Sequence, residues 1–199
     1  MAEYSNLILT DLGKVVLAKA IAGKPLKFSR VSCGDGFLEE YQEICELEGL
    51  INPLYDLEIF SCEVGYTADD KIIPGMAELR AMLDNKEIEE GFYVREIGVF
   101  ALDPDTEEEV LYGYSNSGDK SDYMPAYGGK NIVEFLYKLC MVIDNAQDVT
   151  AVSASGIVYV SQSEFNAMFG DSKAIEEFWT RAEWDERKFR PVGKILPRK

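Results

Sequence analysis

Several groups of residues have types and spacings that could do chemistry. The run 103–114, "DPDTEEEVLYGY", sets Asp103, Asp105 and Glu107 at alternate positions, as a calcium loop sets its first carboxylates. Its sixth position holds Glu108 where such a loop needs Gly, and its twelfth holds Tyr114 where it needs a bidentate Glu, so the run predicts turn chemistry instead. "CGDG", residues 33–36, has the glycines of a phosphate loop but neither its Lys nor a G-x-G-x-x-G pattern, and predicts a tight turn with positive φ. Cys33, Cys45, Cys62 and Cys140 form no C-x-x-C pair, which argues against zinc and leaves them as small buried apolar residues. The sequence contains no His, which removes Ser-His-Asp and Cys-His catalysis in their usual forms. Carboxylate or lysine catalysis stays open, but with 36 acids in 199 residues close pairs arise by chance, and spacing names none of them. No catalytic residue, cofactor or metal is therefore assigned.

The elements that would carry such groups can be read from periodicity. Thr10 and Asp11 open a helix with apolar residues at 12, 15, 16, 17, 20 and 21, closed by Gly23 and Pro25. So nearly all-round an apolar helix must pack on a sheet or a partner. "LKFSRVSC" turns to strand, and residues 37–55, with Glu39, Glu40, Glu43, Glu46 and Glu48, predict a solvated loop or short helix. Alternation at Phe60, Cys62, Val64 and Tyr66 predicts a strand, while Pro74 followed by Met76, Leu79, Met82 and Leu83 predicts a second short helix. "FYVREIGVFALDPDTEEEVLYGYSN" reads as a hairpin about "DPDTEE". Val133, Phe135, Tyr137, Leu139, Met141 and Ile143 occupy every second position of a long strand, and "VTAVSASGIVYV" predicts a further strand pair ending at Val160.

Beyond that the composition changes. Ser161 and Glu164 form a capping box for a short helix ending at Gly170. Asp171 caps another, in which Ile175, Phe178, Trp179 and Ala182 share one face that can pack on its own domain or on another molecule. The expected class is α+β, an antiparallel β-sheet core with a packed N-terminal helix and a C-terminal helical tail, divided into residues 1–160 and 161–199.

A formal net charge of −16 argues against general nucleic-acid binding, which depends on basic side chains meeting phosphates. The exception is Arg187–Lys199, six basic residues with no acid, which leaves −22 for everything before it. Such an end, with Arg187, Lys188 and Arg190 at its start, is either a solvated terminus or a dock for an acidic surface. The first residues lack the charge pattern of a signal peptide, and no apolar run reaches the roughly 18 residues of a membrane span.

Together, "LILTDLGKVVLAKAIAGKPLKFSRVSCGDG" (7–36), "YVREIGVFALDPD" (93–105), "LYGYSNSGDKSDYMPAYGG" (111–129) and "AQDVTAVSASGIVYVSQSEF" (146–165) resemble the N-terminal baseplate-attaching domain of tail-fibre (tail-collar) proteins of contractile-tailed phages and phage-tail-like bacteriocins. The resemblance covers roughly residues 4–165 and lies in the order and spacing of the stretches together. It implies a mixed α/β attachment domain without enzymatic activity, trimeric assembly, docking on a baseplate wedge protein, and residence in the virion tail or tail-like particle after synthesis in the bacterial host cytoplasm. Family members commonly continue into a shaft and receptor-binding tip, whereas 34 residues follow Phe165 here, so the likeness implies a fibre base or adaptor on which a separate distal fibre is mounted, or a baseplate component in its own right. Ile175, Phe178, Trp179, Ala182 and the basic end would then hold that next protein. In "VREIGVFALDPD", Gly98 would permit close backbone approach, and Arg95 with Glu96 would fix a neighbouring strand or subunit. Two other classes stay open: a tail-associated enzyme degrading cell wall or polysaccharide, and an assembly chaperone absent from the mature particle.

Overall fold

The computed structural model describes residues 7 to 152, apart from 41, 66, 69, 70, 73 and 147. Along the chain run β1 (Ile8–Leu9), α1 (Asp11–Ile21), β2 (Leu26–Gly34), β3 (Pro53–Val64), β4 (Thr67–Ala68), β5 (Lys71–Ile72) and β6 (Met76–Asp84). They are followed by β7 (Phe92–Val94), β8 (Glu96–Leu102), β9 (Glu109–Asn116), β10 (Asp122–Met124), β11 (Glu134–Val142) and β12 (Val149–Ala151).

One sheet dominates, in the order β1-β9-β8-β2-β3-β6-β11, and it curls into a half-barrel. The curl comes from strands that change partners. β2 pairs along its length with antiparallel β8, but on its other side its first residues pair with parallel β12 and its last with antiparallel β3. β3 in turn pairs with β2 up to Leu57 and with β6 from Glu58 onward. Register shifts at Phe28/Arg30 and Ile59/Ser61 place bulges at those handovers, and bulges bend and twist strands. Leu26, Phe28, Val31, Leu79, Ile97, Val99 and Tyr112 fill the resulting core, with Phe28 and Tyr112 edge-on at 5.2 Å between ring centroids.

The expected α+β class is overturned: among the described residues the chain is mostly β-sheet, with one α-helix. The segment expected as a second helix, 74–83, is β6, lying between β3 and β11. Met76, Leu79, Met82 and Leu83 fit a helical period, and Ala, Glu, Leu and Met favour helix, but a strand buried on both faces need not alternate. Glu78, a helical solvent face by type, is buried here and accepts from Arg80 Nε at 2.6 Å. The tail expected over 161–199 lies outside the described residues.

The N-terminal helix forms as its residues suggest. Thr10 accepts from the Gly13 N–H at 3.0 Å and its hydroxyl donates to the Leu111 carbonyl, capping α1 and tying it to β9. Only one face is covered: Gly13, Val16 and Ala20 are buried, whereas Leu12, Val15 and Ile21 are exposed. The helix packs on the sheet through that one face and leaves those apolar residues uncovered.

The β8–β9 hairpin and the alternation of β11 match the sequence reading. At the hairpin, Asp103 and Asp105 meet lysines from the end of α1: Lys19 Nζ lies 2.6 Å from Asp103 Oδ1 and 3.1 Å from Asp105 Oδ2, and Lys24 pairs with Asp105. These pairs join α1 to the hairpin and occupy the acids that resembled a calcium loop. The Lys19 hydrogen bond, then the Asp105 N–H, holds the Asp103 carboxyl below its ordinary 3.8. A lowered folded value stabilises above the unfolded value and is lost as pH falls through the folded one. Asp103→Asn is therefore expected to lower the melting temperature at neutral pH, with the difference from wild type closing as pH falls below the ordinary 3.8 and through the lowered folded value; thermal melts from neutral to acid pH check it.

No helix among the described residues is long and apolar enough to cross a membrane.

Candidate functional site

β8 explains the unusual run "VREIGVFALDPD". Ile97, Val99 and Ala101 face the main core. Glu96, Gly98 and Phe100 face the other side, where the loop 35–52 folds over the sheet and Leu38, Ile44, Leu47, Leu50 and Ile51 pack around Phe100, Leu111 and Tyr114. With both faces covered, alternation of polar and apolar residues disappears from the strand. The expected turn at "CGDG" is replaced by close approach: neither Gly34 nor Gly36 has positive φ, but a side chain at Gly34 would strike the Asn52 carbonyl and one at Gly36 the Glu96 carboxylate. At Gly98, the expected point of close backbone approach, the near neighbours are the Leu50 and Leu111 side chains instead.

Glu96 is the fastening point of this loop. It is wholly buried, and its Oε1 accepts from the Asn52 N–H at 2.7 Å and the Gly36 N–H at 3.2 Å. Oε2 accepts from the Ile51 N–H at 2.9 Å and the Tyr114 hydroxyl at 2.8 Å. Asn116 Nδ2 donates to the Tyr114 oxygen at 2.8 Å and to the Gly36 carbonyl at 3.0 Å. Burial pushes the Tyr114 hydroxyl far above its ordinary range, so it stays protonated and remains a donor. Glu96 thus fixes a loop of its own chain.

Arg95 points the other way. Its guanidinium lies 4.3 Å from the Phe37 ring centre and 5.1 Å from that of Tyr93, and Nη1 donates to the Asp35 carbonyl at 3.2 Å. β7 and β10 form a separate two-stranded ribbon in which Tyr93 stands opposite Tyr123, their rings 5.1 Å apart. Phe37, Tyr93 and Tyr123 are 47%, 47% and 50% exposed, so the ladder Phe37–Arg95–Tyr93–Tyr123 makes a continuous aromatic face open to solvent. The Tyr123 hydroxyl lies against Gly91, where any side chain would collide with it. Large aromatics and arginine are the residues that concentrate binding energy at protein interfaces.

Sequence reasoning passed over this face, although Phe92 and Val94 facing in and Tyr93 and Arg95 facing out is an alternation visible in "FYVR". The residues expected to bind a partner, Ile175, Phe178, Trp179, Ala182, Arg187, Lys188 and Arg190, all lie outside the described residues. Acids also line a shallow cleft beside β3 and β6, including Asp56, Glu58, Asp84 and Glu87. Asp56 pairs with Arg30 at 3.0 Å and Asp84 with Lys86 at 2.6 Å. Burial lifts the Asp84 carboxyl, but hydrogen bonds from the Lys86 side chain and N–H outweigh it and hold the group below its usual range, the reverse of what a general acid needs. The Cys33 thiol is pushed up to about 12 by burial, which makes it inert. Among the described residues no group of three His, Cys, Asp or Glu side chains is placed to hold a metal.

Comparison with protein-family models, with curated proteins and with solved structures gave no match.

Proposed function

We propose that the chain is a structural component of a contractile phage tail or phage-tail-like particle, a fibre base or adaptor that attaches a tail fibre to the baseplate. The observation that supports it is convergence: three of the four stretches carrying the resemblance, 7–36, 93–105 and 111–129, come together around the Glu96 fastening and the aromatic face. Gly34 and Asp35 meet Arg95, Glu96 meets Tyr114, and Tyr93 meets Tyr123. A surface built from residues far apart in the chain, rigid and rich in aromatics, suits a connector. In this reading the partners are a baseplate wedge protein, two further copies of the chain in a homotrimer, and a separate distal fibre. Cryo-EM of the intact tail, with mass spectrometry of purified particles, tests it. Density for the chain at the baseplate, touching a wedge protein, is the expected result. Absence of the chain from purified particles overturns it.

A further inference from the structure

We infer that the face built on Phe37, Arg95, Tyr93 and Tyr123 docks a protein surface with an aliphatic centre ringed by lysine or arginine; this deepens the attachment reading and rests on it only in treating the face as a contact surface. Exposed apolar residues elsewhere, such as Leu54 and Val64, do not join a ring-to-ring ladder, whereas here aromatic rings adjoin one another through a guanidinium. The face is already ordered. Tyr93 and Tyr123 sit on paired strands, Tyr123 lies over Gly91, and Arg95 is held by two rings and the Asp35 carbonyl, so little rotamer freedom is left to lose on binding.

Charge selects the partner. The chain carries a net −16, and exposed acids flank the face in sequence: Glu39 and Glu40 just after Phe37, and Glu89 and Glu90 just before Gly91. The Arg95 cation lies against two ring faces and donates through Nη1 to the Asp35 carbonyl, while its buried Nε has no hydrogen-bond partner. An apolar face on a strongly acidic chain, with these glutamates next to it in sequence, is complementary to an apolar centre with a basic rim, which speeds encounter and rejects acidic surfaces. Nucleic acid is disfavoured by the same negative charge. The Tyr93 and Tyr123 rings are inclined by 58°, so they do not offer the shared plane on which a sugar ring would stack.

The test uses the full chain and labelled synthetic peptides read by fluorescence anisotropy: one alternating lysine with leucine, one glutamate with leucine, and one lysine with serine. The lysine–leucine peptide is expected to bind saturably and to weaken as salt is raised, and the Tyr93→Ser/Tyr123→Ser double variant is expected to lose about tenfold or more in affinity. Tyr93→Phe/Tyr123→Phe, which keeps the rings, is expected to retain binding, and unchanged thermal melts show that both variants fold. Binding of the lysine–leucine peptide that ignores both tyrosines overturns the inference, as does equal binding of the glutamate–leucine peptide or the lysine–serine peptide. Incorporation into particles is scored in the same variants. A chain that enters tails but binds the peptide without its tyrosines sinks this inference alone; one that binds through them but never enters tails sinks the attachment reading alone.

Discussion

Glu96→Ala is expected to destabilise the domain by about 4 kcal/mol, among the largest effects of any single substitution here. The reason is the number of donors left behind. Removing the carboxylate strands the N–H groups of Gly36, Ile51 and Asn52 and takes the acceptor from the Tyr114 hydroxyl, two of these bonds being buried and those of Ile51 and Asn52 part-buried. Each buried donor without a partner costs about 1–3 kcal/mol, and local opening to admit water caps the total below the sum. Glu96→Gln keeps the volume and one acceptor oxygen, so it is expected to lie between the two at about 2 kcal/mol. Urea unfolding followed by far-UV circular dichroism measures both. The loop itself supplies a second readout, because Glu39, Glu40, Glu43, Glu46 and Glu48 are sites for a glutamate-specific protease. Cleavage there should speed up in Glu96→Ala before global unfolding does. Equal midpoints and equal cleavage for mutant and wild type would remove Glu96 from its role as fastening.

The parts of this fold that were legible in the sequence are those governed by local rules. Thr10 caps α1, Gly23 with a φ of 96° ends it, the "DPDTEE" turn joins β8 to β9, and one-sided alternation marks β11. What failed was governed by tertiary covering. β6 reads as a helix because it is apolar on both faces and built from helix formers, and only its place between β3 and β11 makes it a strand. The same double burial turned β8 into an apparent puzzle, since nothing local announces that residues 35–52 will cover its second face. Bulges hid a further feature: the shift at Ile59/Ser61 lets Leu57 and Ile59 face the core before it and Cys62 after it, so no single alternation runs through β3. The aromatic face was half legible. Its strand alternation was visible in "FYVR", but the meeting of Tyr93 with Tyr123 depends on a pairing 30 residues apart that no periodicity encodes.

Gly13→Ala separates these two levels of reasoning by sign. Within a helix, Ala is favoured over Gly by about 1 kcal/mol, so helical propensity alone expects a gain. In the fold the added methyl group would run into the carbonyl oxygen of Tyr112, with the Tyr112 carbonyl carbon and Cα at 2.8 and 2.9 Å behind it. Backbone on β9 cannot step aside by changing rotamer, as the Leu50 and Leu111 side chains could for a methyl group at Gly98. The helix must therefore move outward, stretching the Thr10 hydroxyl bond to Leu111 and the Thr10 N–H bond to the Tyr112 carbonyl, 3.1 Å long, and uncovering Val16 and Ala20. Packing and tethering together outweigh propensity, for an expected net loss of about 3 kcal/mol, or roughly 6–12 °C in melting temperature for a domain of this size. Gly98→Ala, facing only side-chain termini, is expected to lose less. A Gly13→Ala protein that melts at or above the wild-type temperature would mean that α1 rides loosely on the sheet, and that its Leu12, Val15 and Ile21 face is free to settle by moving the whole helix.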